Sequence, residues 1–79
     1  MNLRHLETFV AVAEKGSFSK AAQALYTTAT ALTQQVNALE RELGFQLLAR
    51  DYRGASLTEA GSVYLNYARD IINLERTAE

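Results

Sequence analysis

The stretch Ala24-Leu-Tyr-Thr-Thr-Ala-Thr-Ala-Leu-Thr-Gln-Gln-Val-Asn-Ala-Leu-Glu40 decides how this chain reads. Four threonines, Thr27, Thr28, Thr30 and Thr33, fall within seven residues at the front of an otherwise helical pattern. Threonine is a mediocre helix former, because its branched side chain loses χ1 freedom against the preceding turn. Leu32, Val36, Leu39 and Leu43 recur at spacings of four, three and four, one apolar stripe that Gly44 ends. The opposite face then carries Thr30, Thr33, Gln34, Asn37 and Arg41, with the cap Thr28 and Ala29 at its N-terminal tip. A face that is merely solvated would more often carry Glu and Lys, which favour helix and solubility. Short uncharged donors and acceptors suit base edges in a DNA major groove instead. Gln and Asn can pair bidentately with adenine, a threonine methyl can touch the thymine methyl, and a helix N-terminus offers N–H groups to phosphate.

The flanking sequence frames this helix. A first helix is expected over Leu3–Lys15, capped by Asn2 and stopped by Gly16, with Leu3, Leu6, Phe9, Val10 and Ala13 on one face. Ser17 can cap a short second helix from Phe18 to Leu25, its buried face being Phe18, Ala21, Ala22 and Leu25. Tyr26 and Thr27 make a brief turn. Two short helices, a tight turn and a helix with its polar N-terminal half outward form a helix-turn-helix. Beyond it, Leu47-Leu48 and Ala55 to Leu57 flank the turn-rich Arg50-Asp-Tyr-Arg-Gly54, which predicts a two-stranded wing over about 46–57. Arg50 and Arg53 sit where an arginine could enter the minor groove or hold a phosphate. Arg53 is the stronger candidate, because Arg50 can instead pair with Glu40 or Asp51. Tyr52, at the wing tip, is the one tyrosine placed to meet DNA.

Thr58 caps a last helix with Glu59 in its first turn. Ala60, Tyr64, Tyr67, Ile71, Leu74 and Ala78 recur at spacings of four, three, four, three and four, a heptad seam of nearly three repeats. Leu65, Ala68 and Ile72 widen the apolar surface. Such a helix is expected to pack on the first helix and also on a second copy of itself. The fold expected is therefore mainly α: a winged helix-turn-helix over residues 1–58, with a three-helix core and two-stranded wing, followed by a long linker (dimerisation) helix over 59–79.

Composition narrows the function. With 79 residues the chain is one small domain or a piece of something longer. It has no cysteine and one histidine, His5, which cannot build a metal site alone. The lack of cysteine fits a reduced cytoplasmic setting, and no run is apolar enough to span a membrane and no signal-peptide pattern opens the chain. The formal net charge is −1, unusual for a phosphate binder, but its distribution matters more. Between Gly16 and Leu39 there is one lysine, Lys20, and no acid. No nucleophile–base pair, ligand cluster or glycine-rich phosphate loop supports an enzyme. The serious alternative is a protein-interaction module, since the last helix is so strongly patterned.

Several motifs together resemble the start of LysR-type transcriptional regulators. They are the opening Met1-Asn-Leu-Arg-His-Leu-Glu-Thr-Phe-Val-Ala-Val-Ala-Glu-Lys-Gly-Ser-Phe-Ser-Lys-Ala-Ala-Gln-Ala-Leu25, then Ala31-Leu32, Gln35-Val36, Leu39-Glu40, Glu42-Leu-Gly44, Leu47, Arg50 and Leu57-Thr-Glu-Ala-Gly61. The resemblance runs over nearly the whole chain without gaps. It implies a winged helix-turn-helix that binds an inverted-repeat operator as a homodimer joined through the long helix, associated with the nucleoid. It also implies DNA contacts at the front of the second helix, at Ser17, Ser19 and Lys20, besides Thr27, Thr28, Ala29, Thr30, Thr33, Gln34, Asn37, Arg50 and Arg53. A small-molecule effector domain follows the long helix in members, and this chain is expected to be the part that precedes it, with no cofactor of its own. Thr28-Ala29-Thr30 stands where members commonly have Ser-Gln-Pro, and Thr33-Gln34 where they often have Ser-Arg. Leu48-Ala49 replaces the usual Phe-Glu. A reading face with fewer charges predicts modest affinity that leans on base edges rather than phosphate attraction.

Overall fold

The computed structural model describes residues 1–78. Its element order is α1 (Leu3–Lys15), α2 (Phe18–Ala24), α3 (Ala29–Leu43), β1 (Leu48–Asp51), β2 (Gly54–Leu57) and α4 (Glu59–Ala78). This is a mainly helical winged helix-turn-helix, as the periodicity predicts.

The helix ends form where the cap chemistry places them. Asn2 accepts from the Arg4 N–H, Ser17 from Lys20 and Thr28 from Ala31, each satisfying a donor that the first helical turn leaves orphaned. Gly16 and Gly44 close α1 and α3 in the left-handed region. α2 has no glycine to do this. Leu25 is its C-cap, and Tyr26 takes the left-handed conformation at φ 57°. The Tyr26 N–H donates to Gln23 O and the Thr27 N–H to Ala22 O, the paired bonds of a Schellman motif built on a tyrosine. One expectation fails here. Leu25, the C-cap whose N–H still bonds Ala21 O, is 45% exposed rather than buried, while Phe18 is only half-buried.

One apolar core joins all four helices and the wing. Leu6, Phe9 and Val12 of α1 meet Ala21 and Ala22 of α2, Leu32, Val36 and Leu39 of α3, Leu47-Leu48, and Ala68 and Ile72 of α4. Leu43 is half-buried at its margin. The two alanines of α2 keep that helix close to its neighbours. Thr8 is the one buried polar side chain among the described residues, and its hydroxyl donates to Gln35 Oε1, tying α1 to α3. Neighbouring glutamines thus part company: Gln35 turns inward to Thr8 and Gln34 outward to solvent.

The wing is an antiparallel hairpin in which Leu48 pairs with Leu57 and Asp51 with Gly54. Its strands run further than the sequence suggests, and the loop shrinks to Tyr52-Arg53. Asp51 Oδ1 accepts from the Arg53 N–H at 2.8 Å, a side-chain-stabilised turn. Gly54 has φ 130° and lies so close to the α1–α2 turn that an added Cβ would stand 2.4 Å from Gly16 O. The Ala55 N–H donates to that same oxygen at 3.0 Å, docking the wing on the turn.

α4 starts from an equally close approach. Thr58 accepts from the Gly61 N–H as its N-cap and donates its hydroxyl to Gln46 O. A Cβ at Gly61 would fall 2.0 Å from Leu47 O, so only glycine lets α4 leave the wing at this angle. Ion pairs Arg69–Glu14 (3.1 Å) and Arg76–Glu7 (3.7 Å) then line α4 along α1; being solvent-exposed, each contributes little.

Candidate nucleic-acid interface

The outward side of α3 is built by the same register that buries Leu32, Val36 and Leu39. Thr30 and Gln34 are exposed, Thr33 and Asn37 half-buried, and Thr27 and Thr28 stand exposed before the helix with Ala29 half-buried behind them. None of Thr33, Gln34 and Asn37 is buried, and no carboxylate occurs between Gly16 and Leu39. The first amides of α3 point back along the helix axis at its N-terminal tip, and Thr28 Oγ1 accepts from that of Ala31. Ser19 and Lys20 are exposed at the front of α2, whereas Ser17 is half-buried and its hydroxyl caps the helix. The surface can therefore offer neutral donors and acceptors along α3 and fixed N–H dipoles at its tip.

Beside this face the two wing arginines take different parts. Arg50 turns back toward α3: its guanidinium lies 4.7 Å from the Phe18 ring centroid, donates to Asn37 Oδ1 at 2.9 Å and approaches Glu40 Oε1 at 3.6 Å. It braces wing, α2 and α3 rather than extending from the loop. Arg53 is at the tip, bonded to Asp51 Oδ2 at 3.0 Å, with its guanidinium 5.6 Å from the centre of the 94% exposed Tyr52 ring. The Arg53 side-chain hydrogen bond, helped by its N–H, holds the Asp51 carboxyl below the usual carboxylate range.

Glu40 is the residue that sequence reasoning undervalued. Its Oε2 accepts from the N–H groups of Leu47 (2.7 Å) and Leu48 (3.2 Å), and its Oε1 faces Arg50. One carboxylate thus fixes the wing onto the recognition-helix candidate. A signal was present, since an acid in the last turns of a helix opposes the macrodipole and needs donors of its own.

α4 divides the expected seam. Ala60 and Tyr64 are half-buried, Tyr64 lying 6.2 Å from Phe9 and 6.3 Å from Phe45, ring centre to ring centre. Burial, and next the charge of Glu42, push the Tyr64 hydroxyl above 10.0. Those two positions belong to this domain's own packing. Tyr67 (59%), Ile71, Leu74 (71%) and Ala78 remain exposed, joined by Val63, which the heptad reading missed. Val63, Tyr67 and Leu74 are separated by four and seven residues, so they share one side of the helix.

Comparison with known proteins agrees with this geometry. The model of the bacterial regulatory helix-turn-helix protein, lysR family, matches residues 3–62. The transcriptional regulator TfdT of Cupriavidus pinatubonensis is 47% identical over 94% of this chain and 32% of its own length. AlsR of Bacillus subtilis is 49% identical over 87% of this chain and 23% of its own. The chain thus spans about a quarter to a third of these relatives, which are named as transcriptional regulators. Among solved structures, a CbnR_DBD–DNA complex superposes with a TM-score of 0.96 at 42% identity, covering 99% of this chain and 90% of that one. The BenM_DBD/catB site 1 DNA complex gives 0.90 at 42% identity, covering 99% and 85%. By sequence and by fold, this chain belongs to the LysR family of bacterial regulatory helix-turn-helix proteins.

Proposed function

We propose that this chain binds double-stranded DNA sequence-specifically, as the DNA-binding part of a LysR-type transcriptional regulator. α3 enters the major groove, with Thr30, Thr33, Gln34 and Asn37 toward base edges and Thr27, Thr28 and Ala29 toward the backbone at its tip. Ser17, Ser19 and Lys20 meet phosphates from the front of α2, and Arg53 reaches the minor groove or backbone from the wing. Residues 1–58 read DNA, and the helix from 59 joins two copies on an inverted repeat through Tyr67, Ile71, Leu74 and Ala78. The full-length regulator would add a small-molecule effector domain and act in the cytoplasm at the nucleoid. No helix among the described residues is long and apolar enough to cross a membrane.

The observation that carries this reading is the acid-free face of α3, open to solvent beside a braced wing. Likeness to two domains solved as DNA complexes supports it. The test is electrophoretic mobility of duplexes carrying an inverted repeat, titrated with the chain at rising salt. Retardation that weakens with salt is expected, because bound cations displace condensed counterions. A duplex left unmoved at micromolar protein would favour a protein-only module.

A further inference from the structure

The tip of the wing carries both signs of charge, and the two are held differently. Asp51 Oδ1 accepts from the Arg53 N–H at 2.8 Å, so the carboxylate is tied to the backbone of its own loop. The Gly54 N–H also favours its charged form. Arg53 is tied only at its far end, where Nη2 meets Asp51 Oδ2 at 3.0 Å, and its side chain is 75% exposed. The guanidinium can swing from the tip, whereas the carboxylate stays. Arg53 therefore cannot offer its charge to a phosphate without bringing a fixed anion to the same place. The other wing arginine is balanced too, with Glu40 Oε1 at 3.6 Å from Arg50. Around the outward side of α3, Lys20 and Arg41 are exposed cations in no ion pair among the described residues.

We infer that Asp51 is a built-in counterion for Arg53 that holds down the affinity of the wing for DNA of any sequence. Attraction to phosphate carries no sequence information, so an arginine neutralised within the wing weakens binding to random and selected duplexes alike. Discrimination is left to the uncharged side of α3. The guanidinium bonded to Asp51 displaces less of the counterion atmosphere than a free one, which makes binding less sensitive to salt than the number of arginines implies. The inference rests on the DNA-binding reading above and adds what limits the contribution of the wing.

The test is titration of one duplex selected by wild type and one random duplex at 50 to 200 mM salt. Wild type is compared with Asp51→Asn, Asp51→Ser, Arg53→Ala and the double variant Asp51→Asn/Arg53→Ala. Asparagine and serine each keep an oxygen for the Arg53 N–H, so the turn is retained while the charge goes. One phosphate contact is worth about threefold between 50 and 200 mM salt, from a slope of about −0.9. Asp51→Asn and Asp51→Ser should therefore bind both duplexes about threefold more tightly at 50 mM. The gain should be nearly gone at 200 mM, a salt slope steeper by about 0.9. In the Arg53→Ala background Asp51→Asn should gain clearly less, because no guanidinium remains to be released. Unchanged or weaker binding by both single Asp51 variants, with wild type still retarding the duplexes, would overturn the assignment and leave DNA binding intact. Equal gains with and without Arg53 would overturn the pairing as the cause. A wild-type chain that retards neither duplex overturns the DNA-binding reading along with it.

Discussion

Replacing Glu40 by alanine removes one carboxylate and should unsettle the whole junction between α3 and the wing. Leu47 and Leu48 are buried, and their N–H groups have Glu40 Oε2 as acceptor at 2.7 and 3.2 Å. Each orphaned buried donor costs about 1–3 kcal/mol, so the two together cost about 2–6. The cost of taking the carboxylate out of water on folding, which wild type meets and the alanine variant does not, offsets part of this and leaves about 3 kcal/mol. A domain of this size has roughly 4–12 kcal/mol in total, at about 0.05–0.15 per residue. The loss is therefore a large fraction, and near 4–8 °C per kcal/mol the melting temperature should fall by about 15 °C. Urea unfolding followed by circular dichroism measures it directly. Glu40→Gln, whose one carbonyl oxygen can still accept both N–H groups while its amide nitrogen faces Arg50, should lose clearly less. An alanine variant within about 1 kcal/mol of wild type would refute the assignment of Glu40 as the clamp.

Three further outcomes are expected. Gly61→Ala drives a Cβ to 2.0 Å from Leu47 O, where the carbonyl also accepts from the Thr58 N–H at 3.0 Å; it should cost about 3 kcal/mol in denaturant unfolding, and near-neutral behaviour would contradict the close approach. Tyr26→Gly removes a left-handed tyrosine worth about 1–2 kcal/mol of strain, returns about 0.5–1 to unfolded-state entropy, and gives up no packing because the ring is 97% exposed. A melting temperature up by a few degrees is expected, and a fall would contradict the strain. Asp51 should titrate below 3.8 by carboxyl NMR and move up toward that value in Arg53→Ala. Its folded value being depressed, the pair's contribution is present above 3.8 and is lost as pH falls through the folded value; no change in Arg53→Ala would contradict the cause.

The helices were legible because their punctuation is local chemistry. Asn2, Ser17 and Thr28 cap, Gly16 and Gly44 stop, and the apolar spacing fixes which side of α3 turns inward. What escaped depends on contacts between distant residues. Leu25 looks like a core position by spacing, yet it is the C-cap of α2 and stays 45% exposed, with no neighbouring element covering it. Arg50 and Arg53 read alike as loop arginines, yet Phe18, Asn37 and Glu40 gather the first while the second stays at the tip. The heptad pattern of α4 runs through Tyr64, but Phe9 and Phe45 claim that ring, so the exposed apolar side shifts toward Val63 and Tyr67. A period counts faces; which neighbour reaches each face is decided by the tertiary path of the chain.

The measurement that bears most directly on the central claim compares Gln34→Ala with Arg53→Ala on one selected duplex and one random duplex. If the uncharged side of α3 reads sequence, Gln34→Ala should weaken the selected duplex by about tenfold and leave the random one nearly unchanged, while Arg53→Ala weakens both alike. Equal losses on both duplexes for Gln34→Ala would contradict it.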